Sequence, residues 1–384
     1  MITLLSKIFV NGKENERQAY GTLCSVVGIM LNVMLFAGKY FAGIISHSIA
    51  ITADAFNNLS DAGSSFITLI GFRFAGKKPD TEHPFGHGRF EYISGFIVSI
   101  AILMMGFELG KSSVSKIIHP VAVETGKLSI IILFISVCIK LYMALYNTRI
   151  GKKIDSTAMK ATAMDSLSDM VATSVVLLSM LIMKFTSLNI DGISGLLVAL
   201  FILYAGYNAA KDTLGPLLGQ PPKKEFVHEI EDIVLSYEDV VGIHDLVVHD
   251  YGPGRCMISL HAEVPGDGDI YKLHDTIDMI ERELNEKLCC ESVIHMDPIE
   301  VNNVVVQDMK LKIKEIVKTI DESITIHDFR MVKGDTHTNL IFDAVVPYKV
   351  KISDDDVRKQ ISDKVQKIDE KLYCVITIDK SYIK

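Results

Sequence analysis

Six stretches of roughly 20 apolar residues recur in the first 213 positions of this 384-residue chain, and each is long enough to cross about 30 Å of hydrocarbon as a helix. They run at roughly 18–44, 48–74, 90–116, 126–148, 156–184 and 189–213. In hydrocarbon every backbone N–H and C=O must be paired internally, so runs of this length and spacing predict a six-helix transmembrane domain. The mean hydropathy of +0.29 reflects these runs alone, because positions after about 214 mix Lys, Glu and Asp with short apolar segments as a soluble domain does.

Residues 1–17 begin apolar and then turn polar (Asn11-Gly12-Lys13-Glu14-Asn15-Glu16-Arg17), which reads as a cytosolic N-terminal segment and not as a cleaved signal. Basic residues favour the cytosolic ends of membrane helices. Lys7, Lys13 and Arg17 precede the first span; Arg73, Lys77, Lys78 and Arg89 follow the second; Arg149, Lys152 and Lys153 follow the fourth; Lys223 and Lys224 follow the sixth. The opposing loops hold only Lys116, Lys127 and Lys184, so both termini are expected in the cytosol. A formal net charge of -8 argues against a nucleic-acid partner, which needs a basic face. The six cysteines form no CxxC pair, which argues against a disulfide framework or a Cys-rich zinc site.

Two internal repeats organise the chain. Ala53-Asp-Ala-Phe-Asn-Asn-Leu-Ser-Asp61 on the second span matches Ala161-Thr-Ala-Met-Asp-Ser-Leu-Ser-Asp169 on the fifth, with Asn57 opposite Asp165, which suggests two related halves of a transporter. In the tail, Ile243-His244-Asp245 returns as Ile326-His327-Asp328, and Glu286-Lys287-Leu288 as Glu370-Lys371-Leu372. Each tail copy reads helix, strand, strand, helix, strand. The first is expected at about 222–236, 243–249, 256–264, 269–287 and 291–297, a small α+β fold with helices on one face of a sheet. The expected domains are therefore a membrane domain over 18–213, a cytosolic α+β domain over 214–300 and a second, degenerate copy over 301–384.

Each aspartate near the middle of a membrane helix costs about 2.5–3.5 kcal/mol on insertion, so Asp61, Asp165 and Asp169 together cost very roughly 7–10 kcal/mol. An ion pair, a proton relay or a bound cation are the physical ways to offset this. Asn57 and Asp61 are four residues apart, as are Asp165 and Asp169, so each pair shares one helix face, and facing pairs would surround a single cation. Lys39 and Lys160 lie near helix ends, from which they are expected to snorkel to the headgroups. The plain alternative has the carboxylates hydrogen-bonded to Ser60, Ser168 or backbone. Asp54 lies two turns before Asp61 on the same face and suggests an exit path or a wet vestibule.

The stretch Ser48–Ser65, the loop Pro79-Asp-Thr-Glu-His-Pro-Phe-Gly-His-Gly-Arg89 with Glu91, and the pattern from Lys140 to Asp169 resemble the cation diffusion facilitator family over roughly residues 18–298. The resemblance implies six helices followed by a cytosolic ferredoxin-like domain, a homodimer, and export of divalent metal in exchange for protons through the four positions Asn57, Asp61, Asp165 and Asp169. It implies a secondary loop site at Asp80, His83 and His87, and a cytosolic site at His244, His261, His274, His295 and Asp297. Zinc-type members carry His or Asp at the position of Asn57 and His at that of Asp165. The oxygen-only set here resembles the bacterial manganese-exporting branch, and carboxylate and amide oxygens suit hard ions as imidazole suits zinc. Mn2+ is therefore expected ahead of Zn2+, Cd2+ and Fe2+, in a multi-pass protein of a bacterial inner membrane, a transporter with no catalytic cofactor.

In the second tail copy His327 and Asp379 persist, whereas Asp343 stands where His261 stood and Thr377 where His295 stood, so its site reads as degraded. Two other classes compete. An intramembrane aspartyl protease also needs two membrane aspartates, but its Tyr-Asp and Gly-x-Gly-Asp motifs do not surround Asp61 or Asp169. A metal sensor that uses the helices only as an anchor has no need of intramembrane carboxylates.

Overall fold

The structure, a computed structural model, describes residues 6, 9, 10, 15–46, 49–119, 127–186 and 191–380. Lys7 and Lys13, counted above for orientation, lie outside them, as does most of the expected N-terminal segment 1–17. The chain divides into two compact units, residues 1–220 with 251–253 and residues 221–250 with 254–384.

The first unit is a bundle of long helices: α1 (Glu16–Ser46), α2 (Ile49–Ala75), α3 (Phe90–Ile118), α4 (Lys127–Lys153), α5 (Thr157–Thr186) and α6 (Asp191–Leu218). All but α2 contain a segment long and apolar enough to cross a membrane by composition alone. The polar content of α2, with Asp54, Asn57, Asn58, Ser60, Asp61, Ser64 and Ser65, lowers its hydropathy, yet it packs along α1 and α3 as a full member of the bundle. Large apolar side chains such as Met30, Met104, Phe107 and Tyr204 point outward and are about two-thirds exposed (67, 68, 70 and 68%), the surface of a protein that faces lipid.

Helix α5 joins two cores. Ala158 and Met159 pack with Tyr20, Cys24, Phe72, Met143 and Tyr146, whereas Ala161 packs with Val98, Ile102, Val198 and Ile202. Small residues let the backbones approach: a Cβ on Gly95 of α3 would lie 2.9 Å from Ala158 Cα. Buried hydroxyls return to their own helices, with Thr162 bonded to Ala158 O and Thr68 to Ser64 O, and the two hydroxyls meet at 3.0 Å to tie α2 to α5.

The second unit holds two copies of one motif. The first is α7 (Lys224–Leu235), β1 (Gly242–Asp250), β2 (Cys256–Pro265), α8 (Ile270–Leu288) and β3 (Cys290–Ile299); the second is α9 (Val304–Lys318), β4 (Thr325–Lys333), β5 (Thr338–Val345), α10 (Asp354–Gln366) and β6 (Leu372–Asp379). Both sheets run β1-β2-β3 or β4-β5-β6, with the first pair antiparallel and the second parallel. The helices are amphipathic, and each copy encloses its own core. Val227, Ile230, Ile277, Ile280 and Leu284 close over Ile258 and Leu260 in the first, and Ile313, Val317, Val357 and Ile361 over Leu340 and Phe342 in the second.

The repeat extends to an irregularity. Strand β1 slips register between His244 and Val247, and β4 slips between His327 and Arg330. At the slip Asp245 and Asp328 both take a left-handed backbone, φ 51° and 48°, which Asp tolerates better than most residues. In each copy the left-handed aspartate directly follows a histidine, His244 or His327.

Candidate metal sites

Within the bundle, α2 delivers Asp61 and α5 delivers Asp165 and Asp169, so that one carboxylate oxygen from each lies within 4.8 Å of the others. Asp165 is buried at 6% exposure, and the Asp61 and Asp169 side chains are 14 and 12% exposed. Between them stands a cation that no local sequence spacing points to. Lys140, on α4 and 2% exposed, places Nζ 2.6 Å from Asp61 and 2.6 Å from Asp169. The ammonium accounts for one positive charge against three carboxylates. If all are ionised the group carries two uncompensated negative charges in a low-dielectric setting, which an ion pair alone cannot satisfy. The alternative in which serines satisfy the carboxylates fails at Ser168, whose buried hydroxyl has no hydrogen-bond partner. Asn57, one turn before Asp61 on α2, is exposed.

Lys39 also departs from expectation. It does not snorkel; it is 3% exposed and pairs with the partly exposed Asp54 at 2.7 Å, so a second ion pair links α1 to α2. Lys160 is exposed at the start of α5 and pairs with Asp155 at 2.8 Å. Glu91, buried at the start of α3, accepts from Arg17 at 2.8 Å and from Ser156 at 2.5 Å, and so fastens α1, α3 and α5 together.

The loop between α2 and α3 gathers Asp80, His83 and His87. Asp80 accepts the backbone N–H groups of Glu82 and His83 (3.1 and 2.7 Å), which folds the loop and holds its carboxyl below the usual carboxylate range, with the nearby imidazoles adding to the effect. His83 Nδ1 and His87 Nε2 lie 3.5 and 3.4 Å from that carboxylate. Gly86 takes φ 83°, a turn that a side chain would strain.

In the first tail copy strand register sets the ligands. His244 pairs across β1–β2 with His261, and His261 across β2–β3 with His295. Asp297 sits at the focus: His261 Nδ1 is 2.8 Å away, His244 Nε2 3.2 Å and His295 Nε2 3.3 Å. Burial works against a charged His244, but the Asp245 hydrogen bond and the surrounding carboxylates outweigh it and raise its pKa. His274 does not join them; it is 70% exposed on α8 and faces Asp278 at 3.7 Å.

A family model described as the cation efflux transmembrane domain matches residues 25–218, and one described as the cation efflux protein cytoplasmic domain matches residues 222–299. The chain belongs to the cation diffusion facilitator family. An uncharacterised transporter of Methanocaldococcus jannaschii is 32% identical over 72% of this chain and 97% of its own length. Protein p34 of Rickettsia prowazekii is 26% identical over 72% of this chain and 92% of its own. The cation-efflux pump FieF of Escherichia coli is 25% identical over 74% of this chain and 96% of its own. The facilitator is thus a multi-pass membrane transporter of cations and not an enzyme, which removes the protease reading. Its second tail copy lies beyond the residues matched by either model.

Proposed function

We propose that this facilitator exports a divalent metal ion, Mn2+ ahead of Zn2+, Cd2+ and Fe2+, in exchange for protons. The observation that carries the reading is the convergence of Asp61, Asp165 and Asp169 around the Lys140 ammonium.

Charge balance supplies the coupling. Three carboxylates and one ammonium leave a charge of two, which either one divalent ion or two protons neutralise. Charge in a site walled by apolar helices is costly, so the bundle changes its access only when one of those two loads is present. Lys140 acts as a tethered cation. It offsets the carboxylates' mutual repulsion when the ion has left and shifts aside within the cluster when the ion enters, so release does not expose a bare cluster of like charges. Asn57, a turn from Asp61, contributes its amide oxygen as the helices close on the ion.

An oxygen-only set favours a hard ion, which is the ground for Mn2+. The proposal includes a homodimer with both ends of the membrane domain on the cytosolic side of a bacterial inner membrane, and metal binding at the loop and in the first tail copy as regulatory steps.

The metal preference is tested by side-by-side transport of Mn2+, Zn2+, Cd2+ and Fe2+ in proteoliposomes. Asn57→His with Asp165→His is expected to shift preference toward Zn2+. An unchanged ranking would remove the argument from ligand softness.

A further inference from the structure

The second tail copy has lost two of the histidines that line the first, yet its remaining donors are not isolated. His327 of β4, Asp343 of β5 and Asp379 of β6 are joined by Asp245, which comes from the bulge of the first copy. One donor atom from each of the four lies within 4.8 Å of all the others. Donors around one divalent ion at about 2.0–2.2 Å stand at most some 4.4 Å apart, so the group is close to the size of a coordination shell before any ion draws it in.

Several features set this group apart from a chance cluster of acids. Both ring nitrogens of His327 are buried and have no hydrogen-bond partner, although Nε2 is 3.5 Å from Asp379 and 3.8 Å from Asp245, and Nδ1 is 3.9 Å from Asp343. The ring stacks on His244 with centroids 4.2 Å apart. The His244 side chain is 4% exposed, and its Nε2 faces Asp297 of the first-copy site at 3.2 Å. Buried imidazole nitrogens without a hydrogen-bond partner, set beside carboxylates, are groups that a bound cation would satisfy. The two copies are also fastened at this seam: Glu263 of β2 accepts the Asp328 backbone N–H at 3.3 Å and faces Lys310 Nζ at 3.7 Å.

We propose that the tandem repeat builds a second tail metal site, shared between its two copies and formed by Asp245, His327, Asp343 and Asp379, for a divalent cation. The replacements of histidine then change the site's chemistry and do not abolish it. One imidazole and three carboxylates make a harder set than the two imidazoles, His244 and His261, gathered with Asp297, so this site takes Mn2+ or Fe2+ more readily than its neighbour does. The bound ion links the copies to each other, because one of its ligands comes from the other side of the seam. The site stands or falls apart from the transport reading, since its test measures binding and not flux.

The experiment uses the full-length protein in detergent, with the number of Mn2+ ions retained counted by equilibrium dialysis and electron paramagnetic resonance. Asp343→Asn with Asp379→Asn keeps side-chain shape and is expected to lose one Mn2+ equivalent. Asp245→Asn should lose that same equivalent from the other copy, and His261→Ala with His295→Ala should retain it. Thr377 stands across from Asp343 in the β5–β6 register and is exposed, so Thr377→His adds a donor and is expected to tighten Zn2+ binding about tenfold or more at this seam. Undiminished Mn2+ binding in Asp343→Asn with Asp379→Asn would overturn the proposal. So would a loss in those variants that Asp245→Asn fails to reproduce, or a Thr377→His protein that folds and gains nothing for Zn2+.

Discussion

Lys140 on α4 holds its ammonium 2.6 Å from the Asp61 carboxylate on α2, in the midst of helices whose outward faces are apolar. A buried pair of this kind is costly to break from one side. Removing one partner of such a pair typically costs about 3–5 kcal/mol, because the other charge is left unpaired.

Lys140→Ala is therefore expected to lower the thermal stability of the metal-free membrane unit by about that amount, and added Mn2+ should restore it. The same variant should bind Mn2+ tenfold or more tightly, since the tethered competitor is gone, and should turn over more slowly. Thermal melts with and without Mn2+ check the first part and equilibrium binding the second. Stability that is lost and not recovered by metal would make Lys140 a structural residue only.

Close approach of α3 and α5 rests on Gly95 against Ala158. Gly95→Val should destabilise the bundle by about 1–3 kcal/mol through overpacking, and more if the helices separate. The measurement is the melting temperature of the detergent-solubilised protein against Gly95→Ala, which is expected to fall between the two.

Phe342 fills the core of the second tail copy and is fully buried. Phe342→Ala should cost about 3–5 kcal/mol in that copy. Limited proteolysis is expected to cut residues 301–384 first, and the Mn2+ equivalent assigned to the shared site should disappear with them.

Asp239, ahead of β1, accepts from Lys272 at 3.1 Å and from Thr276 at 3.1 Å, and these bonds hold its carboxyl below the usual range. A group depressed on folding stabilises the fold above its unfolded pKa, about 3.9 for Asp, and loses that contribution as pH falls through its folded value. Asp239→Asn should lower the tail's stability at neutral pH, where the ionised carboxylate contributes, and flatten its further loss as pH falls, so that the two proteins converge in acid. Urea melts of the protein at pH 3 to 7 would show it.

Much of the architecture is legible in the sequence for simple reasons. A membrane imposes length on apolar runs, and the tail helices and strands carry 3.6- and 2-residue periods, so elements lie within a few residues of expectation. Asp61, Asp165 and Asp169 announce themselves because they are expensive where they stand. Lys140 is as expensive, yet its partners lie 79 and 29 residues away on other helices, and no local spacing points to them. Lys39 looks like a snorkelling residue for the same reason, since nothing in sequence links it to Asp54. His274 shares a residue type with the tail site and not its place, for α8 turns it outward. Asp343 and Thr377 read as losses while each copy is considered alone; Asp245 changes that only once the copies are packed.

In the proposed cycle the carboxylates around Lys140 exchange one metal ion for protons. Proteoliposomes loaded with a pH-sensitive dye and given Mn2+ on one side measure both flows together. Expected are proton counterflow driven by Mn2+, Mn2+ flux that rises with an opposing pH gradient, and loss of both in Asp165→Asn. Mn2+ flux that is indifferent to the gradient, or that survives in Asp165→Asn, would contradict it.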